Sequence, residues 1–176
     1  MNSMFPKIEQ PQNEPILNYA PQSEERQKLQ DALKKWENTT VEVPIIIGGK
    51  EVKTGQLGEI IEPHRHQHAL GTFHQAGAKE VAEAVKASQQ AKHEWENMPF
   101  QHRAAIFLKA AELLSSKYRY DMNAITMLNQ SKNPFQSEID AVAELIDFLN
   151  FNVFYMQRIY EEQPLISAKG TWNYLE

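Results

Sequence analysis

Cysteine is absent from the 176 residues, which excludes disulfides, thiolate metal sites and any thiol nucleophile within the chain. Glycine is sparse as well. The seven glycines (Gly48, Gly49, Gly55, Gly58, Gly71, Gly77, Gly170) form neither a G-x-G-x-x-G nor a P-loop, so no phosphate cradle is recognisable. No apolar run approaches the ~20 residues of a membrane helix. The N-terminus has neither the order of a signal peptide nor the Arg-rich look of a transit peptide, and the chain reads as cytoplasmic. Positive charge is also short, with 18 Lys and Arg against 23 Asp and Glu. No basic stripe is available to neutralise phosphates, so neither nucleic acid nor a membrane is expected as a partner.

What is present is ordinary globular composition, 41% hydrophobic and 10% aromatic, enough for a packed core. Pro6, Pro11, Pro15 and Pro21, with Asn and Gln between them, predict an extended arm that wraps over something else. Ser23 before Glu24 and Glu25 supplies an N-cap and helix-start acids, and Leu29, Leu33 and Trp36 then follow helical spacing. Ile45–Ile47, Gly48-Gly49 and Lys50–Val52 read as a β-hairpin. Two further short strands are expected at Ile60-Ile61 and Leu70–Phe73, joined by a polar loop, and antiparallel pieces should dominate up to Gly77.

From Lys79 the pattern becomes helical. Val81, Ala84, Val85, Ser88, Ala91 and Trp95 share one stripe of a helix ending near Asn97. Pro99 suits a first helical position, and Ile106, Ala110, Leu113 and Leu114 mark the buried side of the next helix. Met122, Ile125 and Leu128 suggest a third. A long helix should begin at Asn133, with Pro134 at its first position and Gln136 closing a capping box, and run to about Tyr160. Pro164 stops it. Thr171 to Glu176 alternates like the start of a strand. The three tryptophans, Trp36, Trp95 and Trp172, fall where core or interface residues are expected.

Two constellations are candidates for chemistry. His64, His66 and His68 alternate, and on a strand they would share a face suited to zinc. Pro63, Arg65 and the lack of a carboxylate after Glu62 favour a solvated loop, so no metal is expected. The other is Glu138. At 100° per residue, Val142, Ile146, Leu149, Val153 and Met156 fall within about 80° of it, while Asp140, Glu144 and Asp147 lie about 180° to 240° away. Glu138 thus projects at the margin of the apolar stripe, where a carboxylate needs a hydrogen bond, a cation or a polar ligand. Either it reaches water or pairs with a Lys or Arg, or it sits perturbed in a pocket.

Asn13-Glu14-Pro15 with Tyr19-Ala20-Pro21, then Trp95, Pro99 and the run Arg103 to Ala111, resemble the N-terminal part of aldehyde dehydrogenases. Gln136 to Asp140, followed by Ala143 to Phe148, is similar to the glutamate-semialdehyde dehydrogenase branch, also called 1-pyrroline-5-carboxylate dehydrogenase. Ser131-Lys132 departs from the usual Gly-Lys. The resemblance implies an α/β fold: hairpin and short strands, then a helical layer that packs on a Rossmann-type domain. Residues 1–40 would form the arm and short helix. Residues 41–176 would form the front of the nucleotide domain, ending where the oligomerisation strands begin.

The resemblance also implies NAD-dependent oxidation of glutamate semialdehyde to glutamate in proline catabolism, by a homo-oligomer. Its Cys nucleophile, oxyanion Asn, water-activating Glu and main NAD-binding residues would all follow Glu176. No catalytic or cofactor-binding residue is therefore expected in these 176 residues, and the chain itself should be inactive. Glu138 is the one site residue it offers, near the pocket for the amino-acid end of the semialdehyde, where a carboxylate would hold the ammonium group. The alternative is a non-catalytic helical interaction module, against which the unpaired edge of the terminal strand argues.

Overall fold

Ser23 starts the first helix, α1 (Glu24–Glu37), in a computed structural model that describes residues 7–164 and 166–174. Its Oγ accepts the Arg26 N–H at 3.3 Å, and acids in the first turn with Lys34 and Lys35 in the last complement the helix dipole. Ahead of it, residues 7–20 form neither helix nor strand, as their prolines require; Pro6 lies outside the described residues.

β1 (Val41–Val43), β5 (Ala69–His74) and β4 (Leu57–Ile61) form a mixed sheet in that order, and β2 (Ile45–Ile47) and β3 (Lys50–Val52) form a separate hairpin. The hairpin turns on Gly48 and Gly49, with φ of 57° and 76°, as a two-residue loop demands. Antiparallel pairing dominates as expected, in β2–β3 and β4–β5, and the sheet adds one pairing the sequence did not suggest, β1 parallel to β5. Three residues are too few to display a strand period. Gly71 makes the pairing possible, since a Cβ there would lie 2.1 Å from the Val41 carbonyl oxygen.

Four helical segments follow, α2 (Ala78–Asn97), α3 (Phe100–Ser115), α4 (Arg119–Gln130) and a long composite helix. Pro99 stands at the N-cap of α3, one place earlier than expected. Leu29 and Ala32 of α1 meet Ala124 of α4 around Tyr19 in one core, and Ala111 of α3 meets Val142 and Ile146 in another. α2 buries none of its residues, and Val81, Val85 and Trp95 remain exposed. Its apolar stripe has the right period but little to cover it.

The long helix is capped as its sequence predicts: Asn133 Oδ1 accepts the Gln136 N–H at 2.9 Å, and Gln136 Oε1 accepts the Asn133 N–H at 3.1 Å. It is not one α-helix. α5 (Pro134–Ser137) leads into a π-turn at Glu138–Ala143 and then α6 (Glu144–Glu161). The Glu144 N–H reaches back five residues to the Ile139 carbonyl. Buried positions accordingly pair at a spacing of five, Ser137 with Val142 and Glu138 with Ala143. A uniform α-helix would turn Ala143 about 140° away from Glu138.

Ser131, the departure from Gly-Lys, closes α4 in left-handed backbone with φ of 56°. Glycine enters that conformation without strain; here the serine Oγ lies 2.8 Å from His64 Nδ1. The strand expected at the end does not form over residues 171–174, where no strand among the described residues pairs its backbone. Leu175 and Glu176 lie outside the described residues. Trp172 is exposed, its ring tilted at 49° to that of Tyr174 with 5.9 Å between centroids.

Gly71→Ala should separate β1 from β5 and destabilise the chain by about 3 kcal/mol, at the upper end of overpacking costs. Denaturant unfolding measures this; a change under about 0.5 kcal/mol would show that the close approach is relieved by a small shift.

Candidate functional site

Glu138 is fully buried, with 0% of its surface exposed, and so is its cation Arg119, at 4%. The π-turn points the carboxylate between α4 and the N-terminal arm. Oε1 accepts from the Leu17 N–H at 3.0 Å and from Arg119, whose Nε lies at 3.1 Å and whose Nη2 makes a still shorter contact. Oε2 accepts from the Tyr19 hydroxyl at 2.6 Å and from Asn123 Nδ2 at 2.7 Å. Five donors converge on two oxygens, leaving the carboxylate satisfied.

The surrounding groups are satisfied in turn. Asn123 Oδ1 accepts from the Ser137 hydroxyl at 2.8 Å, and its amide also donates to the Tyr19 oxygen at 2.9 Å. Arg119 pairs with Glu14 and donates to the Pro15 carbonyl at 2.6 Å. Further along the helix, Asp147 accepts from the Glu14 N–H at 2.7 Å and from Asn13 Nδ2 at 2.6 Å, and Gln157 Oε1 accepts from the Ile8 N–H at 2.6 Å. The arm is thus held along the long helix by the backbone N–H groups of Ile8, Glu14 and Leu17 and by the Asn13 side chain.

Burial opposes charge on Glu138, but the hydrogen bonds from Arg119, Tyr19, Leu17 and Asn123 outweigh it and hold the carboxyl below the ordinary range. The same environment acts oppositely on Tyr19. Burial, then the bond to Glu138 and its charge, push the phenol far up despite Arg119, so it remains a donor. Arg119 is raised: burial lowers it, but its bonds to Glu138 and Glu14 prevail.

Within this chain the Glu138 carboxylate is satisfied without the substrate ammonium that the resemblance implies for it. Both oxygens are engaged inside the protein. The pairing alternative, with an Arg, is the one the geometry supplies, and the marginal position given by a uniform helical wheel fails because the π-turn shifts the angular register. Asp140 pairs with Lys132 at 2.8 Å as a surface acid would, Glu144 is exposed, and Asp147 receives the arm. Sequence reasoning missed Arg119, Tyr19 and Asn123 as members of the site. Tyr19 and Glu138 are 119 positions apart, and the only available signal was the motif character of residues 13–21.

The histidines are not brought together as a metal site. Residues 62–68 form turns. Buried Glu62 takes His64 Nε2 at 2.6 Å, His68 Nδ1 at 2.7 Å and Arg65 at 2.8 Å, and Arg65 also reaches Glu37 at 2.6 Å. His66 is exposed. No group of three or more potential metal ligands occurs among the described residues. Burial works against Glu62, yet bonds from Arg65 and His68 and the Arg65 and His64 charges hold it below the ordinary range. The hollow between α1, α4 and the sheet, lined by residues such as Trp36, Val41, Leu70 and Leu128, carries no titratable group.

An aldehyde dehydrogenase family model matches residues 51–176. The chain belongs to the aldehyde dehydrogenase family. Among aldehyde dehydrogenases, a Dictyostelium discoideum protein named delta-1-pyrroline-5-carboxylate dehydrogenase, mitochondrial, is 49% identical over 96% of this chain and 30% of its own length. A Schizosaccharomyces pombe protein named probable delta-1-pyrroline-5-carboxylate dehydrogenase is 45% identical over 99% of this chain and 32% of its own. The crystal structure of the Mycobacterium tuberculosis delta-pyrroline-5-carboxylate dehydrogenase bound with NAD superposes with a TM-score of 0.93 at 43% identity, covering 98% of this chain and 32% of that one. The α/β aldehyde dehydrogenase-like architecture is thereby shown, and the chain spans about a third of these relatives. The mitochondrial name of the Dictyostelium protein means that a cytoplasmic location does not hold throughout the family.

Arg119→Met would leave the Glu138 charge buried without its cation and should cost about 3–5 kcal/mol, whereas Arg119→Met with Glu138→Leu should cost clearly less. Equal losses in the two variants would argue against a buried charged pair. A second expectation concerns acid. Glu138 and Glu62 bind protons more weakly folded than unfolded, so their contribution is full above the ordinary carboxylate value of 4.5 and is lost as pH falls through the lower folded values. Denaturant midpoints measured from pH 7 to 3 should decline below about pH 4.5, less steeply in Glu62→Gln; parallel curves would remove Glu62 from that account.

Proposed function

We propose that the chain is the N-terminal part of an NAD-dependent dehydrogenase that oxidises glutamate semialdehyde, formed from 1-pyrroline-5-carboxylate, to glutamate in proline catabolism, and that the intact protein is a homo-oligomer. The observation that carries this reading is the 49% and 45% identity, over nearly the whole chain, to relatives bearing that name. In the net reaction the aldehyde carbon gives a hydride to NAD+ and takes oxygen from water, ending as a carboxylate.

The residues present do not themselves fit NAD. The chain has no glycine-rich loop, and at the start of α2 the Gly77 N–H is already taken by the Glu80 carboxylate at 2.8 Å, where a phosphate would be repelled. It also has no cysteine. No step of hydride transfer or acyl chemistry is therefore assigned to these residues. Their part is to position: the Glu138 cluster fixes the arm and the π-turn, and with them the face that α3 and α6 present. Glu138 serves recognition through what it holds rather than by touching substrate.

The test uses the intact protein. NADH formation with glutamate semialdehyde should exceed that with an unsubstituted aliphatic aldehyde by at least about 100-fold in kcat/KM, roughly 2.7 kcal/mol of transition-state discrimination. Comparable values would overturn the substrate assignment. Glu138→Gln should lower thermal stability while KM for the semialdehyde changes less than about threefold; a rise above tenfold at unchanged stability would restore a direct ammonium contact.

A further inference from the structure

A hollow of about 430 Å³ lies where the end of the arm, α1 and the start of the long helix meet, a volume within the range of small-molecule pockets. Its apolar lining is Leu29 and Leu33 of α1 with Tyr19 and Phe135. Phe135 is 61% exposed, so part of that lining is open to contact.

The polar groups around it are weighted towards donors, because their acceptors are already engaged. Asn18 Oδ1 accepts the Ala20 N–H at 3.0 Å and Asn133 Oδ1 accepts the Gln136 N–H at 2.9 Å, which leaves each amide its Nδ2 group. Arg26 Nη1 donates to the Tyr19 carbonyl at 3.2 Å. That contact covers a backbone acceptor and leaves the remaining N–H groups of the guanidinium fork. Gln30 adds another amide, and no Asp or Glu is among the described residues that line the hollow.

A guanidinium beside amide N–H groups suits an anion and repels a cation, and its planar fork matches a carboxylate. One guanidinium balances one negative charge. A phosphate monoester, with nearly two, would exceed it, while the apolar lining requires a nonpolar body on the same molecule.

We infer that this hollow is a binding site for a small monocarboxylate with an aromatic or cycloaliphatic body, its carboxylate on Arg26 and the neighbouring amides and its body against Leu33 and Phe135. Tyr19 belongs both to the hollow and to the buried cluster, where its hydroxyl donates to Glu138 at 2.6 Å. An occupant therefore holds the anchor of the arm in place, and its binding free energy adds to the stability of the docked arm.

The test uses the intact protein, with phenylacetate as probe and ligand-detected NMR titration as readout. Phenylacetate should bind at least about tenfold more tightly than phenylacetamide, which lacks the charge that pairs with Arg26. Arg26→Met and Gln30→Glu, both at exposed positions, should each weaken phenylacetate at least about fivefold, the first by removing the cation and the second by adding a like charge. Phenylacetamide should change less than about twofold in either variant, which shows that the hollow itself is intact. Absence of phenylacetate binding, or equal affinity for acid and amide, overturns the inference. So does an affinity that neither substitution changes, since the probe would then sit elsewhere on the protein. None of these readouts depends on dehydrogenase activity.

Discussion

The buried pairing of Glu138 with Arg119 is the constraint to which the rest of this chain is fitted. Two opposite charges removed from water are tolerated only if each remaining lone pair and proton finds a partner. The chain meets that demand by drawing on three segments: the distant arm supplies Leu17 N–H, Tyr19 hydroxyl, Glu14 and the Pro15 carbonyl, α4 supplies Asn123, and α5 supplies Ser137. The arm would otherwise be an irregular, proline-interrupted peptide with no reason to stay. Its fixation brings Tyr19 into contact with Leu29, Ala32 and Ala124, so the polar cluster and the adjoining apolar core form together.

Much of the secondary structure was legible in the sequence because local chemistry specified it. Ser23, the Gly48-Gly49 turn and the Asn133–Gln136 box each act within a few residues, and each occurs where expected. The failures share a different cause. β1 is held by a parallel partner about thirty residues away, the π-turn is held by packing on both sides, and a strand near Thr171 finds no pairing strand among the described residues. At the candidate site, sequence pattern picked out the carboxylate but not its partners within the chain. A helical wheel reports which way a side chain projects but not which segment, more than a hundred residues away, supplies its donors.

The apolar faces carry information of another kind. Val81 and Val85 on α2, Ile106 on α3 and Phe148, Tyr155 and Ile159 on α6 are exposed although helical spacing gathers them. An apolar stripe that a fold leaves open is ordinarily a surface for another body of protein. Here that agrees with a chain spanning about a third of relatives in the aldehyde dehydrogenase family. The polar cluster is complete within the chain, while the apolar helix faces are not.

The π-turn joins the polar cluster to the apolar helix faces. A turn with five-residue bonding is rare because its hydrogen bonds and packing are poorer than those of an α-helix, so something must hold the extra residue in place. On the N-terminal side Ser137 and Glu138 are fixed by hydrogen bonds to α4 and the arm. On the C-terminal side Val142 and Ile146 are fixed by packing on Ala111 of α3. A regular α-helix would satisfy one anchor and rotate the other off its target by about 100°, the angle of the one extra residue. The π-turn is the conformation in which both are met. Loss of the carboxylate's partners would therefore be felt in the register of α6 as well as at Glu138.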